Sequence, residues 1–384
     1  MEVYLDNSAT TRPSAGVLAA MNHALQDMYG NPSSLHGKGL EAEKALKQSR
    51  RQTAAAIGAA DGEIVFTSGG TEANNLALLG AVSNIRRFGN VVVTTQIEHP
   101  AVRNVFLELE QRGFQVKTLG VGSDGLIRLE ELQECLRLDP VLVSIMMVNN
   151  ETGSIQPIAA IGRLLGRLKR KPLFHVDAVQ ALGKLPINVN ETKADLLAMS
   201  GHKIHGPKGI GALYIRKGVR LQPLMFGGGQ ENEVRPGTEN LPGIVGMAAA
   251  VTEATAALPA SFQKMGALKA KLAGGILGNI PQTRLNGVLT DSFAPHILNV
   301  SFPGVRGEVF VHALEQDGIY VSTGSACSSR KKTFSHVLKA MGLDTANLEG
   351  AIRFSLCARN SEAEIDYVLE RLDLRVKELR QISS

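Results

Sequence analysis

The sequence predicts an α/β protein with a mostly parallel seven-stranded sheet, helices on both faces of that sheet, and a smaller α+β domain. Three observations support this fold class. Seven short apolar runs, several of them rich in β-branched residues, recur between residues 64 and 216, and such runs are typical of buried strands. Helical patterns lie between many of these runs, as in parallel sheets covered by helices. After about residue 256, helical segments mix with brief strands instead.

The large sheet is expected to contain all seven apolar runs. The two last strands are separated by a link that is too short for a helical crossover, so we expect them to be antiparallel. Helices are predicted over Glu72–Asn84, Val102–Arg112, Leu129–Leu138 and Ile158–Lys169. The predicted strands are Ile64–Phe66, Val91–Thr94, Val116–Leu119, Val141–Val148, Leu173–Val176, Leu196–Met199 and Ala212–Ile215.

The remaining segments predict the smaller domain. Residues 15–255 are assigned to the large domain, and residues 1–14 and 256–384 to the small one. The final helix is predicted after Ser361, because Ser361 and Glu364 have the spacing of a capping box and an apolar stripe follows them. The other predicted elements are helices at Pro259–Leu277, Gly307–Asp317 and Phe334–Met341, and strands at Ile297–Phe302, Ile319–Ser322 and Ile352–Leu356.

Composition excludes several classes of protein. The chain has 384 residues, of which 44% are hydrophobic and 20% charged, so it can bury a core and is not globally disordered. Tryptophan is absent and aromatic residues make up 4%, which disfavours a platform that stacks single-stranded nucleic acid. The net charge is +5, and no basic run is longer than Arg330–Lys332. We therefore expect no direct nucleic-acid partner.

The cysteines and the apolar stretches indicate the expected compartment. Cys135, Cys327 and Cys357 are far apart and form no Cys-x-x-Cys pair, so we expect neither a disulfide framework nor a metal site. The first residues lack the pattern of a signal peptide. Uncharged apolar stretches such as Val141–Val148 are too short for a membrane span. A cytoplasmic protein without a membrane partner is expected.

Polar clusters follow five of the predicted strands. In a parallel sheet the carboxyl ends of the strands share one edge, and ligands bind there. One such cluster is compatible with an ordinary turn, but five together predict a common site. The clusters are Thr67–Glu72, Glu98–Pro100, Asn149–Gly153, Asp177–Gln180 and Ser200–Lys203.

The first cluster is suited to an anion. Gly69, Gly70 and Thr71 lie between a strand and a helix, and small residues there let backbone N–H groups approach a phosphate. An ordinary helix cap by Thr71 is the alternative. The chain has neither a nucleotide P-loop nor the glycine fingerprint of a nicotinamide dehydrogenase.

Three further side chains complete the chemistry expected at this edge. Asp177 ends an apolar strand, where a carboxylate needs a cationic partner such as a protonated pyridine nitrogen. Lys203 follows another strand, where desolvation suits a lysine that forms a Schiff base. His99 could stack on a ring. The alternatives are a solvated turn lysine and a structural histidine, but the combination predicts a pyridoxal-phosphate pocket.

A set of motifs distributed over nearly the whole chain occurs in the same order in one known family. With these motifs the chain resembles the cysteine desulfurases of the NifS/IscS-like group, which belong to the class-V aminotransferase family of fold-type I pyridoxal-phosphate enzymes. The motifs are Tyr4–Thr11, Asn31–His36, Thr67–Asn75, Glu98–His99, Val148–Gly153, His175–Gln180, Ser200–Lys203, Gly227–Glu231, Arg235–Thr238 and Gly324–Ser329.

The resemblance implies a fold-type I transferase that acts as a homodimer with pyridoxal 5′-phosphate. It would remove sulfur from L-cysteine, release L-alanine and leave a persulfide on Cys327, which the small domain carries. The persulfide sulfur would pass to an acceptor protein, for which an iron–sulfur scaffold, a tRNA-thiolation enzyme and a thiamine-pathway enzyme all remain open.

The resemblance also implies roles for individual residues. Lys203 would hold the cofactor as a Schiff base, Asp177 would pair with the pyridine nitrogen, and His99 would stack on the ring. Arg353 would bind the substrate carboxylate. The remaining implied contacts are Gln180 and Asn150 near the ring hydroxyl and the substrate, Gly70, Thr71, Ser200 and His202 at the phosphate, and Thr238 reaching in from the partner subunit.

The residues around the cysteines agree with this assignment. Cys327 lies in a small polar segment, Ser322–Ser329, and the cations Arg330–Lys332 that follow favour a thiolate. A buried inert thiol is the alternative. Cys135 lies on a predicted helix and is expected to pack. Cys357 stands where the family more often has glycine, a departure to which we assign no effect.

Arg353 and the rival activities complete the sequence-based hypothesis. A planar guanidinium binds a carboxylate through two bonds, whereas the alternative for Arg353 is a surface arginine on a strand.

Within enzymes the rivals are a selenocysteine lyase and an aminotransferase, and Cys327 disfavours the latter. A non-catalytic sulfur-relay scaffold is the rival from another class, and the intact set of site residues argues against it.

Overall fold

The structure is a computed structural model of the chain and describes residues 1–323 and 334–383. Its strands are β1 (Val3–Tyr4), β2 (Ile64–Thr67), β3 (Val91–Thr95), β4 (Gln115–Leu119), β5 (Leu142–Met146), β6 (Leu173–Asp177), β7 (Leu196–Ser200), β8 (Gly211–Ile215), β9 (Arg284–Leu285), β10 (Ile297–Ser301), β11 (Ile319–Tyr320) and β12 (Ala351–Ser355).

Its α-helices are α1 (Ala15–Gln26), α2 (Gly37–Ala55), α3 (Gly70–Ile85), α4 (Pro100–Gln111), α5 (Leu129–Leu136), α6 (Ile158–Leu165), α7 (Val189–Thr192), α8 (Leu241–Asn279), α9 (Gly307–Gln316), α10 (His336–Ala340), α11 (Thr345–Glu349) and α12 (Glu362–Ser383). Single turns of 3₁₀-helix lie at Asp61–Glu63, Arg86–Phe88, Gly201–Lys203 and Gln230–Glu233.

The central sheet has seven strands in the order β2-β8-β7-β6-β5-β3-β4. Adjacent strands in this sheet are parallel except at β8, which is antiparallel to both β7 and β2. The predicted runs are the strands of this sheet, and the expected antiparallel pair is β7 and β8. Because β2 and β7 are both antiparallel to β8, they point the same way, and the carboxyl ends of six strands share one edge.

Helices cover both faces of this sheet because successive strand residues point to opposite sides. Val92 and Leu142 pack with the apolar residues of α3 and α4 on one face. Val93 and Val143 pack with those of α5 and α6 on the other. Every residue of β3, β5 and β7 is buried, which explains why these strands read as continuous apolar runs rather than as alternating ones.

Helix α8 is longer than the sequence predicts. The predicted helix begins at Pro259, but α8 begins at Leu241, and Pro259 lies inside it. A proline inside a helix costs about 3 kcal/mol, and packing of α8 against α1, α2 and α12 offsets this cost. The predicted domain boundary at residue 255 lies within α8, and it stays a prediction.

Helix α8 is also long and apolar enough, by length and composition alone, to cross a membrane. In the structure its residues Leu241, Ile244, Met247 and Val251 lie in the same buried cluster as the core of the large sheet. This packing is that of a core helix.

The carboxyl-terminal part forms a second core. Strands β12, β10 and β9 make an antiparallel sheet, and β1 pairs with β11 in parallel. Helix α12 packs onto this core through Ile365, Val368 and Leu372. The predicted capping box is confirmed, since Ser361 N donates to Glu364 Oε2 at 2.8 Å and Glu364 N donates to Ser361 Oγ at 3.2 Å.

Candidate active site

The five predicted polar clusters lie at the shared carboxyl edge of the central sheet. They follow β2, β3, β5, β6 and β7, which all point the same way. The amino-terminal segment Asp6–Thr11 runs along this edge, where Thr11 N donates to His202 O at 2.9 Å.

Asp177 is held rigidly at the end of β6. Its side chain is 5% exposed. Oδ1 accepts from Val179 N at 3.0 Å, and Oδ2 accepts from Asn74 Nδ2 at 2.8 Å. Sequence reasoning missed Asn74, which lies three residues after Thr71 on the buried face of α3. A polar residue on that face of a helix was the signal that could have found it.

Lys203 follows β7 in a 3₁₀ turn and is half-buried. Its Nζ donates to Ser8 O at 2.6 Å and to Ala9 O at 2.8 Å. Gln180 Nε2 donates to the same Ser8 carbonyl at 3.0 Å. The alternative of a solvated turn lysine is therefore wrong. Ser8 and Ala9 belong to the motif Tyr4–Thr11, but nothing in their side chains indicated that their carbonyls would bind the lysine.

His99 is both a helix cap and a site residue. Its Nδ1 accepts from Ala101 N at 3.1 Å at the start of α4, which places the ring proton on Nε2. Burial lowers the pKa of His99; the charge of Asp177 opposes this shift, and that of Lys203 adds to it. The imidazole is therefore neutral at neutral pH.

Glu98, beside His99, is a buried acid to which the sequence analysis assigned no individual role. Its Oε1 accepts from Thr95 Oγ1 at 2.8 Å and from Met146 N at 2.9 Å. Burial raises the pKa of Glu98 to about 8, the two hydrogen bonds oppose the shift, and Asp177 reinforces it. Glu98 is thus neutral at pH 7.

The expected phosphate position lies where α3 begins. A Cβ on Gly70 would lie 2.7 Å from Val179 Cγ2, so a larger residue there would displace the Val179 side chain. Ser200 is 1% exposed, and its Oγ has no hydrogen-bond partner among the residues that the structure describes. Thr71 is exposed. A buried hydroxyl near the amino terminus of a helix suits an anionic oxygen.

His202 and Thr238 are the other two residues for which the resemblance implies a contact with the phosphate. His202 Nδ1 is 3.2 Å from Thr10 Oγ1, and burial is the main cause that lowers the pKa of His202 to about 4. Thr238 is exposed, in a segment that Arg235 ties to Glu72 of α3 at 2.8 Å. The role of Thr238 in the site of a partner subunit stays a prediction.

Arg353 lies on β12 and is 4% exposed, so the alternative of a surface arginine is wrong. Its Nη2 donates to Asp6 Oδ1 at 2.7 Å, and its Nη1 donates to Asn150 O at 3.0 Å. Its Nε has no partner within the described part of the chain. Asn150 therefore contacts Arg353 through its carbonyl.

Cys327 lies outside the described residues, as do the rest of Gly324–Ser329 and the cations Arg330–Lys332. The chain leaves the described part close to Arg353, since Ser322 N donates to Arg353 O at 3.2 Å and Arg353 N donates to Ser322 O at 2.7 Å. Burial raises the pKa of both other thiols, Cys135 and Cys357, so they are protonated at neutral pH. Within residues 1–323 and 334–383, no group of three or more His, Cys, Asp or Glu side chains could hold a metal ion.

A doubly covered, mostly parallel sheet with a lysine, a carboxylate and a histidine at its carboxyl edge defines the fold-type I class of enzyme. The family model for aminotransferase class-V matches residues 3–368. A cysteine desulfurase from Nostoc sp. is 46% identical over 382 residues, which are 99% of this chain and 94% of that protein. A cysteine desulfurase IscS from Methanosarcina thermophila is 44% identical, over 99% of this chain and 93% of its own length.

Solved structures are similar as well. A NifS-like protein has a TM-score of 0.93 at 40% identity, over 98% of this chain and all of that one. SspA, solved in complex with cysteine, has a TM-score of 0.81 at 35% identity, over 94% of this chain and all of that one. The chain belongs to the class-V aminotransferase family and, within it, to the cysteine desulfurases. The predictions of the family, the fold class, an enzyme and its desulfurase activity are confirmed.

Proposed function

We propose that the chain uses pyridoxal 5′-phosphate to take the sulfur atom from L-cysteine, and that Cys327 receives it as a persulfide. The observation that carries this proposal is that Asp177, Lys203 and His99 lie at one sheet edge beside the buried Arg353. L-Cysteine as the substrate is supported by the similarity to SspA, which was solved with cysteine.

The side chains at the edge fit this cofactor. Asp177, oriented by Asn74, offers a buried carboxylate for a protonated pyridine nitrogen. The Ser200 hydroxyl and the backbone at Gly70 offer a site for phosphate, with Thr71 and His202 beside it. Gln180 Oε1 is a further acceptor that lacks a partner in the described residues. Bound pyridoxal phosphate supplies an electron sink for the negative charge that develops at the substrate Cα.

Three protein side chains have separate roles in the reaction. Arg353 binds the substrate carboxylate. Lys203, whose Nζ two carbonyls orient, would hold the cofactor covalently. It would then take the proton from the substrate Cα and return it to Cα after the sulfur has left. Neutral His99 would stack on the ring.

The sulfur transfer follows from nucleophilic attack by a thiolate. Cys327 Sγ forms a bond to the substrate sulfur while the Cβ–S bond breaks. The electron pair of that bond stays on carbon, which gains the proton that the substrate thiol gives up. The products are L-alanine and a persulfide anion on Cys327.

Several finer points belong to the same proposal. We propose a homodimer in the cytoplasm, with Thr238 reaching the phosphate of the partner subunit. The persulfide sulfur goes to an acceptor protein, such as an iron–sulfur scaffold, a tRNA-thiolation enzyme or a thiamine-pathway enzyme. A selenocysteine lyase remains the rival for the substrate.

The test is turnover of L-cysteine by the purified protein loaded with pyridoxal phosphate, in the presence of a thiol reductant. We expect equal amounts of alanine and sulfide, and an extra sulfur atom on the peptide that contains Cys327. Alanine formed from selenocysteine but not from cysteine would contradict the proposal in favour of the lyase.

A further inference from the structure

Residues 324–333, here called the Cys327 segment, are flanked on both sides by chain that is hydrogen-bonded close to Arg353. Before the segment, the backbone of Ser322 exchanges two hydrogen bonds with that of Arg353. After it, the Ser335 hydroxyl donates to Glu151 Oε2 and accepts from Leu338 N at 3.0 Å, which caps helix α10. Residues 324–333, between these two attachments, lie outside the described part of the chain.

Glu151 is itself fixed from several directions. Its N donates to Asn149 Oδ1 at 2.9 Å, and its O accepts from Asn299 Nδ2 at 3.0 Å. The carbonyl of the residue before it, Asn150, accepts from Arg353 Nη1. The turn after β5 therefore connects β10, the guanidinium on β12 and the start of α10.

The Glu151 side chain is 4% exposed, and its described partner is Ser335. Burial raises the pKa of Glu151 to about 7, while the Ser335 hydroxyl and Arg353 act to lower it. A buried carboxylate costs free energy unless it is hydrogen-bonded. The turn does not require a carboxylate on the residue next to Asn150, and the proposed chemistry does not use the Glu151 carboxylate.

We propose that Glu151 is a positioning residue, which through Ser335 fixes the end of the Cys327 segment relative to the pocket that holds the substrate carboxylate. The inference rests on the proposed function, because it assigns Cys327 as the acceptor of the substrate sulfur. Glu151 is not among the residues that we propose to bind the substrate or the cofactor. It orients the Ser335 hydroxyl so that the oxygen faces Leu338 N, and the chain enters α10 in one position. A misplacement of about 1 Å costs on the order of 100-fold in rate when two groups must meet.

The experiment compares Glu151→Ala, Ser335→Ala and the double variant, each loaded with pyridoxal phosphate. We expect each single variant to lower kcat for alanine formation by at least about tenfold, and the double variant to lose no more than the worse single one, because both remove the same contact. The dissociation constant for L-cysteine, measured by calorimetry in a Cys327→Ser background, is expected to change less than about threefold. Ser335→Thr, which keeps the hydroxyl, is expected to restore most of kcat.

A readout independent of activity is hydrogen exchange at the amides of residues 336–341. We expect faster exchange in Glu151→Ala and Ser335→Ala than in the wild type, and no change in Ser335→Thr. The matched control is Asp195→Asn, which neutralises a buried carboxylate before β7, at the opposite edge of the sheet. It is expected to keep kcat within about twofold.

Losses that multiply in the double variant would overturn the inference, as would a fall in cysteine affinity as large as the fall in kcat. If the wild type forms alanine and both single variants keep the same kcat, the inference is also overturned. If the wild type forms no alanine from cysteine, the proposed function fails instead, and the two failures are thus distinguishable.

Discussion

Asn74 donates from Nδ2 to Asp177 Oδ2 over 2.8 Å and thereby joins the second turn of α3 to the end of β6. The two residues are 103 positions apart in the chain. The bond uses one Asp177 oxygen and leaves the carboxylate facing the edge of the sheet in a single orientation. It also couples α3, at whose start phosphate is proposed to bind, to the carboxylate proposed for the pyridine nitrogen.

Replacing Asn74 with alanine is expected to weaken cofactor binding. A hydrogen bond to a charged group contributes about 1.5–3 kcal/mol, so we expect the dissociation constant of pyridoxal phosphate to rise about tenfold or more. Absorbance titration of the apoprotein measures it. Asn84→Ala, on the same helix but with its side chain bonded to Arg220 O, is the control. Equal affinities in the wild type and Asn74→Ala would remove this bond from the site.

Replacing Lys203 with alanine is expected to prevent covalent attachment of the cofactor, because Lys203 Nζ is the amine held at the sheet edge. Borohydride treatment of the wild type followed by peptide mapping should locate the label on Lys203. A label on Lys208, or on the buried Lys184, would show that the assignment is wrong.

The conservative change Arg353→Lys is expected to weaken cysteine use while the cofactor stays attached. A lysine replaces a planar two-pronged donor with a point charge, and it loses one of the bonds to Asp6 and Asn150. We expect kcat/KM to fall at least about tenfold, and steady-state kinetics measure it. Unchanged kinetics would place the substrate carboxylate elsewhere.

Cys327→Ser is expected to abolish sulfide and alanine formation without loss of cofactor binding, because a serine hydroxyl is a far weaker nucleophile toward sulfur. Cys135→Ser and Cys357→Ser are the matched controls, and both should retain substantial activity, since burial raises the pKa of each thiol. Mass spectrometry after cysteine treatment should find the added sulfur on the Cys327 peptide. A persulfide on Cys357 alone would contradict the assignment.

The buried acid Glu98 predicts a specific dependence of stability on pH. Its pKa is raised from 4.5 to about 8 in the folded chain, so between these values the unfolded chain loses a proton that the folded chain keeps. Glu98 therefore stabilises the fold below pH 4.5, and this contribution is lost as the pH rises to about 8, at up to about 1.4 kcal/mol per pH unit.

Glu98→Gln removes this titration. We expect the melting temperature of the variant, relative to the wild type, to rise steadily from pH 5 to pH 8. Scanning calorimetry across this range measures it, and Glu110→Gln, an exposed position on α4, is the control. If the difference in melting temperature between Glu98→Gln and the wild type stays the same from pH 5 to pH 8, Glu98 is ionised in the folded chain.

Much of the scaffold could be predicted from local sequence. Strands such as β3, β5 and β7 were visible because a strand buried on both faces is a short apolar run, whatever its neighbours are. The edge strand β4 is only partly buried, and its apolar pattern is correspondingly weaker. The capping box at Ser361 and Glu364 was visible because its contacts lie three residues apart. The polar clusters at strand ends likewise needed only the expectation of a parallel sheet.

The contacts that organise the site were decided by tertiary structure. Arg353 meets Asp6 across 347 residues, and Lys203 meets Ser8 across 195. Backbone carbonyls such as those of Ser8 and Asn150 carry no signature in the sequence, and neither does the burial that raises the pKa of Glu98. Local pattern determined which segments are strands and where polar groups end them. The order of the strands and the path of the amino-terminal segment determined which of these groups meet, because a contact between distant residues depends on packing that no local pattern encodes.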